Sequence, residues 1–167
     1  MKTLFLVRHG KSSWVDPLLT DFERPLNDRG RANSRTLAQY LAENKIIPEL
    51  ILSSPANRAI TTARVISTEL KYPLTNIAIK EEIYEATPER LLKLIQEQND
   101  AFGSMMLFGH NPGFIMLAQE LLTMEIEFFP TCAICGITFS INSWKDLGTG
   151  KGNCIIFKSP KKDFLLK

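Results

Sequence analysis

The chain contains two histidines, His9 and His110, and each stands just past the end of a short apolar run. The first run is Leu4-Phe5-Leu6-Val7, followed by Arg8-His9-Gly10; the second is Met105-Met106-Leu107-Phe108, followed by Gly109-His110-Asn111-Pro112-Gly113. An imidazole in such a turn can act as a nucleophile, a general base or a metal ligand. A third apolar run, Leu50-Ile51-Leu52, leads through Ser53-Ser54-Pro55-Ala56-Asn57 to Arg58. Guanidinium groups match phosphate because their planar fork can donate to two oxygens at once. If the three runs are neighbouring strands, Arg8, His9, Arg58 and His110 meet at one end of a sheet. Together with a helix N-terminus they form a pocket for a doubly charged oxyanion. Each residue alone also fits a capped surface histidine or an ordinary ion pair. Their joint placement is what points to phosphate handling.

The elements that position these groups are legible from periodicity. Lys2 to Val7 reads as a buried strand, and residues 14 to 27, with two prolines and several acids, read as a loop. Asn27 caps a helix running to about Asn44 with Leu37, Tyr40 and Leu41 on one face. Leu50 to Ser53 is a second strand. Ser54-Pro55 opens a helix with the stripe Ile60, Ala63, Ile66 and Leu70, and Tyr72-Pro73 ends it. A short strand falls near Ile77 to Ile79. Thr87-Pro88 starts a helix carrying Leu91, Leu92, Leu94 and Ile95, with a hydroxyl cap and proline at its first position. Met105 to Phe108 is a strand, and a helix follows from Phe114 to about Leu122. Cys135, Ile137, Phe139 and Ile141 then alternate with small or polar residues, and a glycine-rich turn leads to Cys154-Ile155-Ile156-Phe157, a hairpin or neighbouring pair. The last six residues read as a loose tail. Strand and helix alternating over short links imply an α/β fold: a three-layer α/β/α sandwich with a mainly parallel central sheet and antiparallel pairing at an edge.

Composition bounds the function. A chain of 167 residues, 44% hydrophobic and 23% charged, fits one domain, 1–167, with a core of its own. A net charge of +2 gives no broad positive field for nucleic acid or a membrane surface. No run of eighteen apolar residues occurs, and Met1-Lys2-Thr3 leads straight into a strand, so a cytoplasmic monomer is expected. Cys132, Cys135 and Cys154 are an odd count, which argues against a disulfide framework. Cys132-Ala133-Ile134-Cys135 has redox or zinc spacing, but it opens an alternating run in which residues three apart face opposite ways. No second pair follows it, and neither chemistry is expected there.

Leu6-Val7-Arg8-His9-Gly10 resembles the Arg-His-Gly signature of the histidine phosphatase superfamily, which includes the phosphoglycerate mutases. Ser53-Ser54-Pro55 through Arg58-Ala59 and Thr62-Ala63 resembles its second block, and Gly109-His110-Asn111-Pro112-Gly113 its third. The third has the form found in SixA-like phosphohistidine phosphatases. Lys11-Ser12-Ser13-Trp14, Asp21-Phe22-Glu23-Arg24-Pro25-Leu26-Asn27 and Arg29-Gly30 also look like that subgroup. The blocks run in register from Met1 to about Ile141.

The resemblance implies a phosphoglycerate mutase-like fold and a phosphatase in which His9 attacks phosphorus and carries a transient phosphoryl group. Arg8, Arg58 and His110 would hold the equatorial oxygens, and Ser13, Arg24 and Asn111 would contact substrate. A surface ion pair is the competing reading for Arg24. No metal or other cofactor is expected, since these side chains supply the positive charge. The proton donor would be Glu85, with Glu82 second, against a plain solvated acidic turn. Two departures matter: Val15 stands where mutase-type members carry asparagine, and no long insertion is available to lid the pocket. An open site suits a phosphorylated protein, above all phosphohistidine, as substrate. A small phosphorylated molecule, or a non-catalytic module that binds phosphoproteins, is the alternative.

Overall fold

The computed structural model describes residues 1–160, so the expected C-terminal tail lies outside the described residues. Six strands form one sheet: β1 (Lys2–Arg8), β2 (Leu50–Ser53), β3 (Ala78–Ile79), β4 (Ser104–Gly109), β5 (Ile134–Phe139) and β6 (Gly152–Lys158). Their order across the sheet is β3-β2-β4-β1-β5-β6. β1, β2, β3 and β4 pair in parallel, and β5 runs antiparallel to both β1 and β6. Four helices cover the sheet: α1 (Asp28–Glu43), α2 (Asn57–Glu69), α3 (Pro88–Gln96) and α4 (Gly113–Leu122). The fold is the three-layer α/β/α arrangement that the alternation implies.

The continuous apolar runs of β1 and β4 follow from burial on both faces. Leu4, Leu6, Leu52, Met105 and Leu107 pack with Leu91 and Leu94 of α3 and Phe114 and Leu117 of α4. Phe5, Val7, Ile51, Met106 and Phe108 point the other way, onto Leu37 and Leu41 of α1 and Ile60 and Ile66 of α2. Each fully buried side chain of this kind contributes about 1.5–3 kcal/mol. The alternation at Cys135, Ile137 and Phe139 places these residues on the α3–α4 face. β5 is nevertheless an interior strand; the edge on the antiparallel side is β6, which carries Ile155 and Phe157 partly in solvent. Among the described residues no helix is long and apolar enough to cross a membrane.

The caps agree with the sequence signals. Asn27 accepts the Gly30 N–H at 2.8 Å to start α1, and Thr87 accepts the Arg90 N–H at 3.3 Å to start α3, with Pro88 at its first position. α2 starts later than the Ser54-Pro55 signal, at Asn57, because Ser54 spends its hydroxyl on the turn, accepting the Ala56 N–H at 3.3 Å. Near Ile77 only Ala78 and Ile79 pair, since Leu74–Asn76 is already wound into a short 3₁₀ turn.

One close approach sets the loop after β1. The Gly30 Cα lies against the backbone of Lys11, and Gly10 in turn packs near the Gly30 carbonyl, where an added Cβ would come to 2.9 Å. Any side chain at Gly30 runs into the Lys11 backbone. Gly30→Ala is therefore expected to lower stability in chemical denaturation by roughly 1–3 kcal/mol, the range for overpacking a tight site. An unchanged denaturation midpoint would show that the two segments separate freely.

Candidate active site

β2, β4 and β1 are consecutive in the sheet, so their carboxyl ends share one edge. That edge is where open α/β sheets bind ligands. The turns leaving these strands deliver His9, Ser54 and His110 to it, and Arg58 joins them from the first turn of α2.

His9 is buried, and its Nδ1 lies 2.6 Å from the Gly10 carbonyl oxygen. A carbonyl can only accept, so the proton of the neutral ring sits on Nδ1 and Nε2 keeps its lone pair. The Arg58 Nε donates to that Nε2 at 3.3 Å. Burial pushes the His9 pKa down to about 3. The Gly10 carbonyl opposes this shift, and His110, Arg58 and Arg8 reinforce it. At neutral pH His9 is thus the uncharged, nucleophilic imidazole.

The His110 ring lies 5.1 Å from the His9 ring, centroid to centroid. Its Nε2 is 2.8 Å from the Ser54 Oγ, and its buried Nδ1 has no hydrogen-bond partner among the described residues. Burial, then Arg58, lowers its pKa to about 4, with Asp21 opposing and Arg8 adding a little. Arg8 donates from Nη1 to the Phe129 carbonyl at 2.9 Å, while its buried Nε has no partner among the described residues. Asn111 donates to the same Phe129 carbonyl at 2.9 Å.

Arg58 is held from behind by Asp21. Its Nη1 donates to the Asp21 backbone oxygen at 2.6 Å and its Nη2 to the Asp21 Oδ2 at 3.0 Å. The Tyr84 hydroxyl donates to the same Oδ2 at 2.9 Å, and Arg24 donates from Nη2 to Oδ1 at 2.8 Å. Burial works against the Asp21 charge, but hydrogen bonds from Arg24, Tyr84 and Arg58 outweigh it and hold the carboxyl well below the usual carboxylate range. Asp21 is therefore a fixed anion near neutrality and not a proton donor. Arg24 also donates from Nη1 to the Ser12 Oγ at 2.7 Å, and its guanidinium lies 3.5 Å over the Trp14 ring.

These groups enclose a cleft of about 320 Å³ whose wall includes Arg8, Lys11, Arg24, Arg58, both histidines and Asn111, and no carboxylate. Four cations around two neutral imidazoles form a receptor for a compact anion. The cleft adjoins a groove of about 690 Å³ that shares Arg58, His110 and Asn111 with it and runs past Tyr84, Glu85 and Glu89 to Met116.

The residues singled out from sequence are distributed as follows. Arg8, His9, Arg24, Arg58, His110 and Asn111 all line the cleft. Ser13 does not: its hydroxyl accepts the Val15 N–H at 3.1 Å within its own loop, and its neighbour Ser12 takes the wall position. Glu85 lines the groove, whereas Glu82 lies apart with Arg90 and Lys93. Val15 is 89% exposed. Sequence reasoning assigned no role to Asp21, Ser12, Ser54 or Tyr84. Asp21, Ser12 and Ser54 lay within the stretches that carry the resemblance, but no local signal marked Tyr84, whose partner is 63 positions away.

Cys132 is structural in this setting. Its backbone N–H reaches the Arg8 and His9 carbonyls at 3.0 and 3.1 Å, with a left-handed φ of 59°, and burial pushes its thiol up to about 11. β5 begins two residues later, so the strand-face argument applies to Cys135 alone. Among the described residues no group of three or more His, Cys, Asp and Glu side chains is arranged to hold a metal ion.

The histidine shifts carry a pH dependence. Unfolded, both rings bind a proton near pH 6.5; folded, they do so only near 3 and 4. Between these limits the unfolded chain holds more protons, so stability falls as pH falls from about 6.5. The slope approaches about 1.4 kcal/mol per pH unit for each ring. Denaturation midpoints measured from pH 8 to 4 should be level above about 7 and then decline, and His110→Gln should reduce the slope. A flat profile down to pH 4 would contradict the buried neutral pair.

Comparison with known proteins agrees with this geometry. The family model described as the histidine phosphatase superfamily (branch 1) matches residues 4–87. The phosphohistidine phosphatase SixA of Escherichia coli K12 is 30% identical over 141 residues, which cover 81% of this chain and 84% of that protein. An uncharacterised chloroplastic protein of Arabidopsis thaliana is 30% identical over 153 residues, covering 87% and 70%. The structure of the protein histidine phosphatase SixA complexed with tungstate superposes with a TM-score of 0.81 at 26% identity, over 95% of this chain and 97% of that one. The similarity to a 2,3-bisphosphoglycerate-dependent phosphoglycerate mutase of Mycobacterium leprae is 40% over 65 residues, spanning 26% of that protein. With arginines and histidines meeting at the strand ends, and with matches over most of its length, the chain belongs to the histidine phosphatase superfamily and is SixA-like within it.

Proposed function

We propose that the chain is a phosphatase that removes a phosphoryl group through a covalent intermediate on His9, with phosphohistidine on a protein as the preferred substrate. The observation that carries this reading is the state of His9: a neutral ring, protonated on Nδ1, whose Nε2 lone pair lies in a cleft of four cations with no carboxylate in its wall. A module that only binds phosphate needs the cations but gains nothing from a nucleophile held in this tautomer.

The steps balance as two displacements. The Nε2 lone pair of His9 forms a bond to phosphorus while the bond from phosphorus to the leaving group breaks. For phosphohistidine that is a P–N bond; the departing nitrogen keeps the electron pair and, with a proton already on its other nitrogen, the ring leaves as neutral imidazole with no enzymic acid. Water then attacks the phosphoryl group, the His9 N–P bond breaks, inorganic phosphate leaves, and Nε2 regains its lone pair. Arg8, Arg58 and His110 offset the charge on the equatorial oxygens, which is where electrostatic catalysis acts on phosphoryl transfer. Tungstate, held by the similar SixA structure, is an oxyanion of the same kind. The absence of a long insertion between β3 and β4 leaves the cleft open toward the 690 Å³ groove, which suits a side chain presented by a protein.

His9→Ala is expected to abolish turnover, and Arg58→Ala to lower kcat by about 10²–10³-fold, the usual cost of one oxyanion-stabilising donor. A radiolabelled phosphodonor quenched into base should leave label on His9 that is lost in acid; no base-stable label on wild-type protein would sink the covalent step. Glu85 lines the groove and is the candidate proton donor for ester substrates, whose alkoxide leaves poorly. Glu85→Gln should therefore reduce hydrolysis of alkyl phosphates about 10²-fold or more while leaving phosphohistidine hydrolysis nearly unchanged. Equal losses on both substrates would argue against phosphohistidine as the preferred one.

A further inference from the structure

Ser54 follows the last residue of β2 and is fully buried. Its backbone N–H donates to the Phe108 carbonyl at 2.9 Å, which extends the β2–β4 pairing by one position and places the hydroxyl beside the turn that carries His110. The hydroxyl oxygen accepts the Ala56 N–H at 3.3 Å and lies 2.8 Å from the His110 Nε2. With Ala56 donating to the oxygen, the single hydroxyl proton is available for Nε2. If Nε2 accepts, the proton of a neutral His110 ring resides on Nδ1. That nitrogen is buried and has no other partner among the described residues, so it is a donor ready for an oxygen of a bound anion.

The opposite tautomer is worse on both sides. Nε2–H would donate to Ser54, leaving the buried hydroxyl proton without an acceptor and aiming the Nδ1 lone pair at an anion. The groups facing His110 are Arg58 from α2, Arg8 and His9 from the end of β1, and Asp21 and Tyr84 from the loops. Burial and the two guanidiniums keep the ring uncharged near neutrality, with Asp21 opposing them. Charge alone therefore leaves the choice of tautomer open, and a hydrogen-bond partner must make it.

We propose that Ser54 is a positioning residue that fixes the His110 tautomer, so that Nδ1–H is presented to an equatorial oxygen of the phosphoryl group. This rests on the reading of the cleft as a phosphoryl-transfer site. It adds a division of labour between two tautomer locks: the Gly10 carbonyl leaves His9 Nε2 unprotonated for attack, and the Ser54 hydroxyl leaves His110 Nδ1 protonated for stabilisation.

Nitrogen-15 NMR of histidine-labelled protein tests it directly, because the chain has only two imidazole rings to assign and His110→Gln identifies one of them. The resting wild-type protein should show His110 protonated on Nδ1, with a bare Nε2. In Ser54→Ala the ring should lose that preference, kcat should fall roughly tenfold with KM little changed, and tungstate affinity should drop in parallel. Ser54→Thr, which keeps the hydroxyl, should restore the wild-type nitrogen signature. A wild-type His110 protonated on Nε2 overturns the proposal, as does a Ser54→Ala protein that keeps Nδ1–H and full kcat. If Ser54→Ala does not fold, the wild-type spectrum still decides. The tautomer needs no turnover to be read, so a failure of the phosphatase reading would remain distinguishable from a failure of this one.

Discussion

Arg24 and Arg58 reach the cleft from different segments of the chain, and a single carboxylate, Asp21, holds both from behind. Cations brought this close repel one another and lose hydration, a cost visible in the lowered pKa values of Arg8 and both histidines. Asp21 offsets it from outside the cleft wall, on the side of the adjoining groove. Tyr84 supplies a further hydrogen bond to that carboxylate, and Trp14 covers the Arg24 guanidinium. The cleft thus stays positive while its arginines remain fixed, which is the preorganisation that electrostatic catalysis requires.

The scaffold explains why this arrangement is affordable. β1 lies between β4 and β5, its apolar residues fully or nearly fully buried, so the residues that leave its end inherit a rigid origin. The Gly10–Gly30 approach pins the following loop to α1, and the Thr62 hydroxyl accepts the Gly10 N–H at 2.9 Å, tying the same turn to α2.

Much of this was readable in the residues. Apolar runs broken by Arg-His-Gly, Ser-Pro and Gly-His-Asn-Pro report strand ends, because a buried parallel strand must be apolar throughout and can present chemistry only where it stops. The caps at Asn27 and Thr87 were legible for a similar reason: the side chain satisfies a donor within three residues. The serine after Lys11 was harder. Ser12 and Ser13 are the same residue type, and which one faces the wall depends on the bridge between Ser12 and Leu26, a contact across fourteen positions. Which of Glu82 and Glu85 lines the groove was likewise not readable along the chain; Glu85 stands at its edge with a left-handed φ of 51°, and Glu82 lies apart.

By itself the sequence determined the layer order, the strands that end at the site, and the two histidines and two arginines gathered there, because these follow from short-range periodicity and residue chemistry. The tertiary structure alone decided the state of those groups. It folded the Gly10 carbonyl onto His9 Nδ1, and it brought a hydroxyl to His110 Nε2 and one carboxylate behind two arginines through contacts up to 56 positions apart. Protonation state, tautomer and counter-charge depend on which atoms meet in space, and no pattern along a chain specifies that.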